Sequence, residues 1–274
     1  MLGDMPFLHS RDLDLFYTDA GPAEGLPVLL VHGWACDSHD WSFQIPALAE
    51  THRVIAVDLR GHGSSTYRGE EITLRAFVAD LLGLLEHLDV QRAVVVGHSM
   101  GAVIASIVAA RHPELTAGLV VIDPPYGFGP DDAAANLDFA ERIEPGNATS
   151  LAAERLRGAE APSTPAALVT YHQRRIESVD PRVLAAAVHD VHGSLDSVVN
   201  SPQTEELVAR RRSPVLAAST SERGAAWERA LFTSESSVAL AFEGSGHWLH
   251  QERPTEFNRA LLDFIGTLPN SARP

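Results

Sequence analysis

Hydrophobic residues fall into two kinds of run along this chain. Short blocks are apolar at nearly every position: LPVLLVHG (26–33), RVIAVD (53–58), RAVVVG (92–97) and GLVVID (118–123). Between the later blocks lie longer stretches with apolar residues at helical spacing, EITLRAFVADLLGLLEHL (71–88) and AVIASIVAARHPE (102–114). Blocks of about 5 to 8 residues that are apolar throughout predict strands buried on both faces. Their alternation with helices predicts an α/β fold, a mainly parallel sheet with helices on both faces.

The rhythm stops after Asp123. From Pro124 to Arg212 the sequence is rich in Ala, Pro, Asp and Glu, has helical periodicity at NLDFAERI and PAALVTYHQRRIESV, and holds no run of strand type. Strand blocks return with PVLAAS (214–219) and SSVALAFEG (236–244), and FNRALLDFIGTL (257–268) closes the chain as an amphipathic helix. The expected organisation is one α/β core domain, residues 1–123 and 213–274, with a helical insertion at 124–212.

Composition narrows the partners. The net charge is −15, with 45% hydrophobic and 21% charged residues, as in an ordinary globular protein. So acidic a chain is not expected to bind nucleic acid or an anionic membrane surface. The basic run Arg210-Arg211-Arg212 reads as a solvated face or a domain junction. All 21 basic residues are arginine, so no lysine Schiff base or lysine general base is available. The single cysteine, Cys36, cannot form an internal disulfide, and the opening MLGDMPFLHS lacks the pattern of a signal peptide. A cytoplasmic location is the expectation. No oligomeric state is specified by the pattern.

The sharpest chemical signal is AVVVGHSMGA, a buried strand that runs into Gly97-His98-Ser99-Met100-Gly101 and then into a helix. A G-x-S-x-G motif in that setting predicts a nucleophile elbow, with the Ser99 hydroxyl raised at the sheet edge. A nucleophilic serine needs an oxyanion site and a base. His32-Gly33-Trp34 closes an earlier strand, so the N–H groups of Trp34 and Met100 are the candidate oxyanion donors. His32 itself is expected to brace a loop. In FEGSGHWLHQERP, His247 stands in a glycine-flanked loop between the last strand and the last helix. It is preferred as base over His250, which lies nearer the closing helix.

These motifs, with DLRGHGSS at 58–65, resemble the α/β-hydrolase superfamily in order and over nearly the whole length. The resemblance implies a Ser-acid-His triad, a helical cap formed by the insertion, and no metal or organic cofactor. Many members carry the acid after the strand equivalent to PVLAAS, in a Gly-x-x-Asp turn. This chain has Ser219-Thr220-Ser221-Glu222-Arg223 there. Other members place it one strand earlier, where Asp123 stands before two prolines, so Asp123 is the favoured acid and Glu222 the alternative. The expected function is hydrolysis of a carboxylic ester or lactone of a small, largely apolar molecule. GWACD and the position of the acid are also similar to cofactor-independent dioxygenases that cleave N-heteroaromatic rings. A non-catalytic small-molecule receptor of the same fold is a third possibility.

The candidate substrate-binding residues are Trp34, His98, Tyr126, Phe128 and Trp248. Asp58 and His62 are expected to fix a loop beside the site, and Cys36 to pack. His189 and His192 are read as a helix surface, since no third ligand for a metal is evident.

Overall fold

The computed structural model describes residues 6–10, 13–69 and 71–269. Eight strands form one sheet: β1 (Phe7–His9), β2 (Asp14–Ala20), β3 (Val28–Val31), β4 (Val54–Val57), β5 (Ala93–His98), β6 (Thr116–Ile122), β7 (Val215–Ser219) and β8 (Val238–Ala241). Their order is β1-β2-β4-β3-β5-β6-β7-β8, and every pairing from β4 through β8 is parallel. At one side of the sheet β1 pairs antiparallel with β2, and β2 antiparallel with β4. The short, mixed sequences of β1 and β2, FLH and DLFYTDA, carry no buried-strand signature, and they were not among the expected strands.

Helices connect and cover the strands. On the core side these are α1 (Gln44–Leu48), α2 (Leu74–His87) and α3 (Met100–Arg111). Between β6 and β7 lie α4 (Pro130–Arg142), α5 (Ala148–Arg157), α6 (Ala166–Ile176), α7 (Pro181–His192) and α8 (Gln203–Val208). Then follow α9 (Glu222–Ala230), α10 (Leu249–Glu252) and α11 (Pro254–Thr267). Apart from an isolated bridge between Phe128 and Asn200, the segment between β6 and β7 contains no β pairing. Among the described residues no helix is long and apolar enough to cross a membrane.

The sheet separates two cores, and the strand period of two decides which side chain goes where. Leu29, Val31, Ile55, Val57, Val95, Leu119 and Val121 pack with residues of α2, α3, α4, α5 and α7. Val28, Leu30, Val54, Ala56, Val94, Val96, Val120 and Ile122 face the other way, toward α1, α10 and α11. This is why these strands are apolar at every position. Each fully buried Val or Leu contributes on the order of 2 kcal/mol, so the central strands are the most strongly held part of the molecule.

The helices between β6 and β7 are tied down by polar contacts to the core. Trp34 Nε1 donates to the Leu184 carbonyl at 3.1 Å, and the Tyr171 hydroxyl donates to Asp37 at 2.9 Å. The Leu74 amide donates to Asp190 at 2.6 Å, and Arg175 forms a buried ion pair with Asp40. These contacts hold α6 and α7 against the loops that follow β3 and precede α2.

Candidate active site

Ser99 lies between β5 and α3 with φ 53° and ψ −121°, backbone angles that side-chain-bearing residues rarely adopt. The turn is tight because its neighbours lack side chains. A Cβ at Gly97 would lie 2.2 Å from the Gly101 carbonyl oxygen, and one at Gly101 would lie 2.3 Å from that of Val31. The Ser99 amide donates to the Ile122 carbonyl at 2.9 Å, which ties the turn to the end of β6.

One residue later Asp123 has φ 42°, and its amide donates to the Ala218 carbonyl at 2.8 Å. Aspartate tolerates this left-handed region better than most residues. Its carboxylate is engaged on both oxygens. Oδ2 accepts from His247 Nδ1 at 2.7 Å, while Oδ1 accepts from the Thr220 amide at 3.1 Å and the Thr220 hydroxyl at 3.0 Å. Burial pushes the Asp123 pKa up, but the hydrogen bond and charge of His247 and the two bonds from Thr220 outweigh it, so the carboxyl sits below its ordinary range.

The loop carrying His247 is held at three points. The His247 amide donates to the Ala159 carbonyl at 2.8 Å, the Gly246 amide donates to Glu252 at 2.9 Å, and the His247 carbonyl accepts from His98 Nε2 at 3.0 Å. With Nδ1 donating to Asp123, Nε2 is the nitrogen left for a reacting group. Ser99 and His247 line one cavity of about 190 Å³, together with Trp34, Met100, Pro125 and a largely apolar wall from α4, α5 and α7. Met100 is the first residue of α3, so its N–H has no intrahelical acceptor.

Of the expected substrate-binding residues, only Trp34 lines this cavity. His98 does not: its side chain is fully buried, its ring packs 4.7 Å from that of His250, and burial with the nearby His247 charge puts its pKa well below the ordinary histidine value. Trp248 is likewise buried and stacks on His172 at 3.9 Å. Tyr126 and Phe128 line a different cavity, beside Thr220 and Trp227, and the Tyr126 hydroxyl is hydrogen-bonded to Glu228. The common cause is chain direction. After Asp123 the backbone turns toward β7 and α9 before it reaches α4, so Tyr126 and Phe128 pass behind the acid.

His250 is fully buried against Trp41 and His98, which removes it from the cavity. Glu222 opens α9, is exposed, and pairs with Arg229 at 3.1 Å. His32 accepts from the Leu59 amide at 2.9 Å through Nε2, and its Nδ1 lies 2.7 Å from the Gly33 carbonyl, so it braces two loops; burial lowers its pKa to about 4. Asp58 accepts from the amides of Ser38 and Ser64, and His62 is buried behind it. His189 is exposed, but its partner His192 lines the cavity, contrary to the surface reading of that pair.

Cys36, Asp40 and His98 bring one potential ligand atom each within 4.8 Å of the others. The Arg175 guanidinium already neutralises Asp40, so a metal ion there would meet a fixed positive charge. These residues suit a buried polar layer better than a metal centre. Thr220 and Arg155 were given no role in the sequence pattern, and His192 was assigned to a helix surface. Thr220 alone had a usable signal, as a hydrogen-bonding residue at the strand end next to Asp123.

A family model described as the alpha/beta hydrolase family matches residues 28–260. The chain is 30% identical over 264 residues to the dihydrolipoyllysine-residue acetyltransferase component of the acetoin cleaving system of Pseudomonas putida, covering 92% of this chain and 66% of that one. The matched segments span from 35% to 66% of the lengths of the first curated relatives. A solved hydrolase from Pseudomonas aeruginosa superposes with a TM-score of 0.79 at 24% identity, covering 97% of this chain and 100% of that one, a likeness of fold. A thermophilic esterase from Thermogutta terrifontis gives a TM-score of 0.77 at 27% identity and 93% coverage of each chain. Since the matched residues run from the start of β3 into α11 and take in every strand of the parallel part of the sheet, the chain belongs to the alpha/beta hydrolase family.

Proposed function

We propose that this protein is a serine hydrolase that cleaves a carboxylic ester or lactone of a small, largely apolar molecule through Ser99, His247 and Asp123. The observation that carries this reading is the 2.7 Å bond from His247 Nδ1 to Asp123, made by a histidine that shares a cavity with the strained Ser99. The resemblance to an esterase over most of both chains supports it. In the proposed cycle Ser99 Oγ attacks the carbonyl carbon while His247 Nε2 takes its proton. The N–H groups of Trp34 and Met100 receive the oxyanion. His247 then protonates the departing alkoxide, and water releases the acid from Ser99 by the same steps in reverse roles. Asp123 holds the imidazole in the tautomer that presents Nε2 and stabilises the imidazolium. The helical segment 124–212 serves as the cap that shapes the acyl and alcohol pockets.

The test is a panel of aryl esters and lactones with acid release and oxygen uptake recorded together. The wild type should release acid without consuming oxygen, an organophosphonate should label Ser99, and Ser99→Ala should lose several orders of magnitude in turnover. Oxygen consumption by a hydroxyquinolone, retained in Ser99→Ala, would replace this reading with the dioxygenase one.

A further inference from the structure

The cavity above Ser99 is apolar except at two places besides the proposed catalytic groups. Arg155, from α5, and His192, from the end of α7, both contribute to its wall. No other residue lining it carries a formal charge.

The surroundings of Arg155 differ from those of the arginines tied into ion pairs with the fold. Arg53, Arg60, Arg175 and Arg211, which the fold holds in place, each face a carboxylate: Asp19, Asp80, Asp40 and Glu228. Arg155 faces none among the described residues. Its Nη2 donates to the neutral amide oxygen of Asn136 at 2.7 Å, and its guanidinium carbon sits 4.3 Å above the Phe139 ring. An amide and a ring face orient the fork without neutralising it. The chain has 36 acidic residues against 21 basic ones, so an acid is not missing here for want of supply. Although the side chain is exposed as a whole, protein packed around the guanidinium lowers its pKa by desolvation.

His192 completes the polar spot. Its Nδ1 is buried and has no hydrogen-bond partner. Burial and the charge of Arg155 bring its pKa to about 4, so at neutral pH the ring offers one N–H and one lone pair rather than a second charge.

We propose that Arg155 and His192 form a receiving site for a carboxylate on the substrate, so that the ester or lactone cleaved at Ser99 carries an anionic group at the end remote from the scissile bond. This inference rests on the serine hydrolase reading above. Arg155 supplies the planar pair of donors that a carboxylate accepts side by side, and His192 supplies a further neutral donor. The rest of the cavity wall, including Leu156, Val188 and Val191, packs on the carbon chain between the two ends.

The experiment compares monomethyl and dimethyl esters of succinate, glutarate and adipate by acid release at neutral pH. Wild type should favour at least one monoester over its diester by about tenfold or more in kcat/KM. The preference should shrink as salt is raised. Arg155→Met, which keeps the packing on Phe139, should lower the monoester-to-diester ratio about tenfold, chiefly through KM, and Arg155→Lys should restore part of it. A ratio at or below one, or a ratio unchanged in a folded Arg155→Met protein, overturns the proposal and leaves Arg155 a staple between α4 and α5. If neither ester class is cleaved and Ser99 resists the phosphonate, the hydrolase reading itself falls and takes this inference with it.

Discussion

The carboxyl ends of β6 and β7 lie side by side in the sheet, with Ile122 paired to Ala218, yet the chain leaves them in different ways. β6 stops on Asp123, whose left-handed backbone and two following prolines carry the chain off the sheet at once. β7 continues through Thr220 to Ser221, which caps α9 by accepting from the Gly224 amide at 3.2 Å, and Glu222 points into solvent. Neighbouring strands are about 4.8 Å apart, so an acid at either end is within reach of the same histidine. What differs is the support. At the end of β6 the carboxylate finds an amide and a hydroxyl from β7 ready to hold it, whereas a carboxylate in the first turn of α9 is drawn toward solvent and Arg229. Of these two adjacent strand ends, one bears the charge and the other bears the hydrogen bonds that fix it.

Asp123→Asn separates the two strand ends most directly. On the proposed mechanism it should cut turnover by a factor approaching about 10⁴ while circular dichroism and substrate affinity stay near wild type, because His247 loses both its tautomer and its counter-charge. A Glu222→Gln protein crippled to that degree beside an active Asp123→Asn would reverse the assignment.

Thr220→Val tests the supporting strand. It removes the hydroxyl bond to Asp123 Oδ1 and leaves the amide bond, and we expect turnover to fall about tenfold. Because that bond lowers the Asp123 pKa, its loss should raise it, so the titration profile of the Asp123 carboxyl, followed by NMR, should move to higher pH. Thr220→Ser should restore both. A lower turnover with no change in the titration profile would make Thr220 a packing residue.

A smaller effect is expected in stability. The Asp123 carboxyl is depressed in the folded chain, so it contributes stability that is present above the ordinary value of 3.8 and is lost as pH falls through its folded pKa. The urea midpoint of Asp123→Asn should therefore decline less steeply than that of wild type in the most acidic part of the folded range. An identical slope in the two proteins would show that the strand-end hydrogen bonds do not favour the charged form.

The smallest change belongs to Glu222→Gln. Its ion pair with Arg229 is exposed, with side chains 58% and 50% accessible, so turnover should stay within about twofold and stability should barely change.

How much of this was legible in the sequence depended on how local the cause was. Ser99 was readable because the requirement for glycines at 97 and 101 is met within five residues, where a side chain would strike the backbone of the same turn or of β3. Thr220 had a faint signal. Arg155 had none, since its meaning lies in what stands opposite it: Asn136 and Phe139 on a different helix, and Ser99 across a cavity. His98 shows the converse. Its place beside the serine suggested contact with substrate, but β5 alternates, so its ring goes into the sealed layer with His250 and Trp248.

The sequence by itself determined the α/β class, the parallel strands from β3 onward and the helical character of 124–212, because strand and helix periods and the steric limits of a tight turn act between near neighbours. Tertiary structure decided which histidine faces the cavity, which strand end supports Asp123, and which helix between β6 and β7 brings an arginine without a carboxylate partner to the cavity wall. Those outcomes depend on how helices with similar apolar faces settle against the sheet. Many dockings satisfy the same periodicity, and the close packing of the whole interior selects one of them.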